Sequence, residues 1–132
     1  MVKNSSFDLD FGYGRKGEQL VEDLLTGGRT IEVKRDRKWW KTNNLYIEVE
    51  CFFRKSMSWE PSGLNVTEAD YWAFVLEKTV VMITTPTLRY AVENYGREIT
   101  CEIPPNLSKG YLITVDDLMT ATRKYNDEPT NG

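Results

Sequence analysis

Two segments of this chain alternate apolar and polar side chains with a period of two, and no other feature constrains the fold as tightly. They are Thr30-Ile31-Glu32-Val33-Lys34-Arg35-Asp36 and Leu45-Tyr46-Ile47-Glu48-Val49-Glu50-Cys51-Phe52-Phe53. The pattern belongs to strands with one wet and one buried face. The rest of the chain supplies elements to cover such strands. Residues 14–26 read as a helix with Leu20, Val21, Leu24 and Leu25 on one stripe and Gly27-Gly28 at its end. Residues 71–76 and 80–84 are predicted strands. Pro86 opens a helix carried by Leu88, Ala91, Val92 and Tyr95 and closed by Gly96. Residues 111–114 form a last strand, and a helix over 115–125 starts with Asp116-Asp117 in its first turn. Residues 37–43 read as a polar loop. Residues 54–66 read as irregular, with Pro61-Ser62-Gly63 as turn chemistry.

The order α-β-β-β-β-α-β-α predicts an α/β (α+β) fold with a central mixed or antiparallel sheet flanked by helices. A length of 132 residues suits a single domain over 1–132, with loosely held ends at 1–13 and 126–132. No apolar run approaches the roughly 20 residues that span a bilayer. Met1 to Ser6 has no apolar segment behind its lysine, so the expected location is cytoplasmic, without a membrane partner.

Composition narrows the chemistry. The chain has no histidine, which excludes histidine-based nucleophilic triads and imidazole metal sites. Its two cysteines, Cys51 and Cys101, make no zinc pattern and are expected reduced in the core. Any chemistry near neutral pH then falls to carboxylates, lysine, tyrosine or a hard, oxygen-loving cation such as Mg²⁺ or Mn²⁺. A net charge of −3 argues against a uniformly basic coat, though not against a local basic patch.

If the two alternating strands pair as a hairpin around Trp40, Glu32 stands opposite Glu48, Lys34 opposite Tyr46 and Asp36 opposite Asn44. Ile31, Val33, Leu45, Ile47, Val49 and Cys51 then share an apolar face. Glu32, Lys34, Asp36, Tyr46, Glu48 and Glu50 share the polar one. Two facing carboxylates repel each other; a divalent cation between them, with a lysine beside it, turns the repulsion into a site. Such a site can neutralise a phosphodiester and activate water. The plainer alternative is a solvated strand face with cross-strand ion pairs, since Glu-x-Lys is a common tripeptide.

The ordered set of Gly14-Arg15-Lys16-Gly17-Glu18, Ile31-Glu32-Val33-Lys34-Arg35-Asp36, Lys41-Thr42-Asn43-Asn44, Ile47-Glu48, Pro61-Ser62-Gly63-Leu64 and Glu68-Ala69-Asp70-Tyr71-Trp72 resembles the PD-(D/E)XK nuclease superfamily. The closer likeness is to its small phage-encoded members. The resemblance spans residues 14–76. It implies a restriction-endonuclease-like core, Glu32 as a metal-binding carboxylate, Lys34 as the catalytic lysine and Glu18 as a further metal ligand. The family's usual Asp on a preceding strand has no counterpart in Leu25-Thr26-Gly27-Gly28-Arg29. Glu32 filling that place with Glu48 as second acid is the favoured arrangement, Glu50 being a further candidate; Asp8 or Asp10 folding in is the alternative. Asn43 stands where a turn glycine is expected, and asparagine tolerates positive φ better than most residues.

Residues 34–41 hold five basic residues against one acid, a local charge of +4, with two tryptophans at the tip. Arg35, Arg37, Lys38, Trp39, Trp40 and Lys41 are therefore the expected DNA-binding set, combining phosphate contacts with stacking or wedging. The alternative has one tryptophan packing back onto the sheet. Arg54-Lys55 with Trp59 is a weaker second patch. Asp36, Glu50, Asp70 and Glu22 form a second tier of site candidates.

The expected protein is thus a Mg²⁺- or Mn²⁺-dependent deoxyribonuclease using Glu32, Glu48 and Lys34, acting on DNA that includes branched or single-stranded forms. A homodimer is compatible with it, and a phage-encoded chain would work in the host cytoplasm. Two rivals stand beside it. One is a catalytically degenerate nucleic-acid-binding module of the same fold, and the other is a phage structural or partner-binding protein.

Overall fold

The computed structural model describes residues 17–36, 39–102 and 107–127. The chain divides into two compact units, the second starting at Ile31. In the first, residues 17–25 form helix α1. Thr26 closes it by donating from N and Oγ1 to the Glu22 carbonyl, at 2.9 and 2.8 Å. Gly27 follows at φ 78°, the left-handed stop expected of Gly27-Gly28.

The second unit is mixed α and β. Its strands are β1 (Ile31–Arg35), β2 (Leu45–Phe53), β3 (Ser58–Pro61), β4 (Tyr71–Leu76), β5 (Thr79–Thr84), β6 (Arg97–Cys101) and β7 (Ser108–Ile113). Helices α2 (Trp39–Thr42), α3 (Thr85–Tyr95) and α4 (Val115–Asp127) intervene. The strands form two sheets, β1-β4-β5 and β3-β2-β7-β6. The first is mixed: β1 runs parallel to β4, and β4 antiparallel to β5. The second is antiparallel throughout.

The predicted β1–β2 hairpin does not form. β1 pairs with β4, setting Glu32 beside Trp72 and Lys34 beside Phe74. β2 pairs instead with β3 and β7, so Glu48 faces Gly110 and Tyr46 faces Leu112. The physical reason lies in β4: Trp72 and Phe74 are both under 2% exposed, and a strand so apolar on its core face is satisfied only inside a sheet. With β4 central, β1 becomes its parallel neighbour.

The same pairing overturns the expected face of β1. Glu32 and Lys34 share a side with Trp72 and Phe74, and Val33 turns outward, 61% exposed. Two strands lie where no strand was expected. β3 falls within the segment read as irregular, and β6 follows Gly96. The last strand also starts three residues earlier than predicted, at Ser108.

One core joins the two sheets to α3 and α4. Leu45 and Ile47 come from β2, Trp72, Phe74 and Leu76 from β4, Ile83 from β5 and Ile113 from β7. Leu88, Ala91, Val92, Leu118 and Ala121 supply the helical side. α3 begins where Thr84 Oγ1 accepts the Thr87 N–H at 3.3 Å, with Pro86 in the first turn. α4 begins the same way, Thr114 Oγ1 accepting from Asp117 N at 3.0 Å, with the expected Asp116-Asp117 pair following. Gly96 ends α3 at φ −72°, so its role is room and not handedness: a Cβ there would stand 3.1 Å from Tyr111 Cβ.

Candidate functional site

Although β1 and β2 are not paired, their polar residues meet. A cleft of about 440 Å³ is lined by Lys34 and Arg35 at the end of β1 and Asp36 just after it, by Thr42 at the end of α2 and Asn44 beyond it, and by Tyr46 and Glu48 of β2. Its floor is apolar: Phe74, Ile99 and Leu112, with Cys101 alongside. Lys34 lies 3.7 Å from Glu32 Oε1, both side chains about two-fifths exposed, and its Nζ sits 5.4 Å above the Trp72 ring. Glu32 therefore acts on the cleft through Lys34, as an ion-pair partner weakened by water.

Glu48 reaches the cleft because β2 is bulged. Glu48 stands opposite Gly110 and Glu50 opposite Lys109, so Val49 is the extra residue. Gly110 and Lys109 are neighbours on β7 and point to opposite faces. Glu48 and Glu50 consequently face opposite sides, which corrects the expectation that they share one face and removes Glu50 from the cleft. Cys51, opposite Ser108, returns to the Glu48 side.

The bulge is held from outside the sheet. The Val49 carbonyl accepts two hydrogen bonds, from Ser62 N at 2.9 Å and Asn65 Nδ2 at 3.1 Å. Gly63, at φ 51°, lies so close that a Cβ there would clash with the Glu48 carbonyl. Arg89 on α3 donates to the Leu64 carbonyl at 2.8 Å and ties this 3₁₀ turn (Gly63–Asn65) to the core helix. The Pro61-Ser62-Gly63-Leu64 turn thus fixes the backbone that presents Glu48.

Behind Glu48, Tyr46 Oη shares a 2.7 Å hydrogen bond with Ser108 Oγ. Gly110 leaves space for that ring, since a Cβ there would stand 2.7 Å from Tyr46 Cε1. Burial pushes the Tyr46 hydroxyl up, against the opposing effect of the Ser108 bond. Burial and the Glu48 charge push the Cys51 thiol up. Both stay protonated at neutral pH, so neither serves as a base. Cys51 and Cys101 flank Ser108 from the strands on either side and are free thiols. Two strand spacings separate them by about 10 Å, beyond the roughly 4.4–6.8 Å of a disulfide.

Residues 37–43 differ from the expected loop. Residues 39–42 form a helical turn, and Asn43 follows at φ 62°, accommodating the positive φ that asparagine tolerates. Trp39 packs against the core, its Nε1 buried without a hydrogen-bond partner among the described residues. Only Trp40 is presented, 62% exposed with Lys41 Nζ 5.0 Å over its ring. The expectation of two tryptophans at a tip fails for Trp39: a polar turn has no room to bury both, and the nearer ring takes the core. Arg37 and Lys38 lie outside the described residues. In the second patch, Arg54 and Lys55 are exposed, but Trp59 is held between Phe52 and Lys109, at 5.6 and 4.3 Å.

Asp70 precedes β4, and its carbonyl accepts the Thr85 N–H at 2.9 Å. Glu18 and Glu22 lie one turn apart on α1, in the first unit. Among the described residues no three acidic or sulfur side chains gather as a cage. Mg²⁺ takes only one or two carboxylates beside water and phosphate oxygens, and Asp36 and Glu48 offer that hard donor set in the cleft. The sequence reading missed Ile99 and Cys101 because β6 went unrecognised; the alternation in Arg97-Glu98-Ile99-Thr100-Cys101 was the available signal.

Comparison with known proteins finds no matching family model, no matching curated protein and no matching solved structure.

Proposed function

We propose that this chain is a metal-dependent nuclease hydrolysing phosphodiester bonds in DNA at the cleft beside Lys34. The observation that carries the reading is convergence: Lys34 from one sheet, Asp36 just beyond the same strand, and Glu48 from the other sheet line a single cleft. Acids and a lysine brought together across two sheets, with a turn dedicated to aiming one acid, are more than a solvated strand face requires.

In this reading Glu48 and Asp36 hold Mg²⁺ or Mn²⁺, and Glu32 pairs with Lys34. A bound cation there would supply charge neutralisation for the phosphoryl oxygens and acidify water. Lys34 orients the attacking water by hydrogen bonding and offsets charge developing on the phosphate. Glu32 limits where the Lys34 ammonium can swing. Arg35, Lys41 and Trp40 contact the flanking strand.

Purified protein with Mn²⁺ is expected to cut single-stranded, duplex or branched DNA, and Lys34→Ala and Glu48→Gln to abolish cutting. Intact DNA across a broad protein range would overturn the reading. A second reading, a nucleic-acid-binding module without turnover, is motivated by the absence of an Asp in Leu25-Thr26-Gly27-Gly28-Arg29. Salt-sensitive binding without cleavage selects it. A protein-binding role for exposed Trp40 would be selected by failure to bind DNA even at low salt.

A further inference from the structure

A phosphate held by cation and lysine gains nothing from an apolar floor, yet Phe74, Ile99 and Leu112 line the same cleft as Lys34 and Glu48. The space is about 440 Å³, toward the lower end of the roughly 300–1,000 Å³ typical of small-ligand pockets. Its chemistry is divided. The floor suits a flat, weakly hydrated group. The rim offers Asn44, whose amide both donates and accepts, while Lys34 at one end suits an anion. A nucleotide has this division, an apolar planar base joined to a phosphate. In a duplex the base is stacked and paired, out of reach of a cleft; in a single strand it is free to enter.

We propose that the cleft takes one unstacked base, with its phosphate at Lys34, so that the substrate is single-stranded or locally unpaired nucleic acid. The proposal rests on reading the cleft as the nucleic-acid site and specifies what enters it. Asn44 faces the base edge. Tyr46 is occupied by Ser108 and serves as wall. A neutral peptide side chain would fill the floor equally well but makes no use of Lys34, whose water-weakened pair with Glu32 leaves its ammonium able to meet an anion.

The test separates the pocket from the chemistry. Binding of a short fluorescent single-stranded oligonucleotide is measured by anisotropy in EDTA at fixed salt. It is compared with an oligonucleotide of the same length and backbone carrying abasic sites throughout. Base occupancy predicts binding about tenfold or more weaker for the abasic strand, as expected for loss of base contacts. Ile99→Trp, which fills the floor without touching Lys34, Asp36 or Glu48, should bring the two affinities together. Equal affinities in the wild-type protein would overturn the proposal, as would binding of neither strand. Because the abasic comparison uses the unaltered chain, a misfolded variant does not obscure it. Loss of cleavage with Mn²⁺, with the abasic difference retained, would instead overturn the nuclease reading alone.

Discussion

Replacing Trp39 by alanine removes a ring packed against the core, whereas the same change at Trp40 removes one that is 62% exposed. Trp39→Ala should cost about 2–3 kcal/mol in urea unfolding, less than the roughly 3–5 of a fully buried tryptophan. Trp40→Ala should stay within about 0.5 kcal/mol but weaken DNA binding, and equal stability losses would refute this division. Lys34 is the other residue whose two possible roles part cleanly. Its side chain is 43% exposed and its ion pair with Glu32 is long, so Lys34→Ala should leave the melting temperature nearly unchanged while lowering cleavage about 10²–10⁴-fold. The thiol of Cys51 and the hydroxyl of Tyr46 add a pH effect. Both groups titrate higher in the folded chain than in the unfolded one. Their contribution to stability is therefore complete below the unfolded values and is lost as pH rises through the folded ones. Melting temperature should fall from the ordinary thiol value of 9.0 upward, and Cys51→Ala with Tyr46→Phe should flatten that fall.

Among elements, the turn that grips the β2 bulge has the most direct consequence for the site. Removing the Asn65 amide takes away one of two hydrogen bonds to the Val49 carbonyl, a loss of about 1 kcal/mol. If the turn exists to aim Glu48, Asn65→Ala should also weaken Mn²⁺ binding, read by calorimetry; an unchanged metal affinity would leave the turn a purely structural role. Gly63→Ala should be far worse, since its Cβ runs into the Glu48 backbone at a positive φ. These details mark the limit of what was legible beforehand. Alternation located β1 and β2, and turn chemistry flagged Pro61-Ser62-Gly63, because both are local properties. Strand partners are not local. The reading paired β1 with its sequence neighbour, whereas burial of Trp72 and Phe74 drew it to β4. A single extra residue at Val49 then reversed Glu50 relative to Glu48, which no period-two pattern announces. β3 is a short outermost strand with too little hydrophobic signal to stand out, whereas β6 carries only the brief alternation of Ile99 and Cys101. Lys34 and Glu48 still reached one cleft, by a route across two sheets in place of the expected hairpin.

For the whole molecule, a net charge of −3 coexists with a local +4 over residues 34–41, and salt dependence measures which of the two DNA meets. Each phosphate neutralised contributes a slope of about −0.9 in log K against log salt for duplex and about −0.7 for single strands. Five basic residues lie in that segment. Binding confined to it cannot exceed a slope of about −4.5 on duplex or about −3.5 on single strands. A steeper slope would require cations from elsewhere, with Arg54, Lys55 and Lys109 beside Trp59 the nearest in kind. Lys41 provides the sharper test, because it lies over Trp40 and outside the apolar floor. Lys41→Ala should make the slope shallower by about 0.7–0.9 and weaken ordinary and abasic single strands by the same factor. A loss confined to the ordinary strand would mean that Lys41 acts by holding Trp40 against a base. Outside this segment acidic residues outnumber basic ones, so if DNA binds as proposed, encounters are expected to begin at the Trp40 turn, a few residues from Lys34.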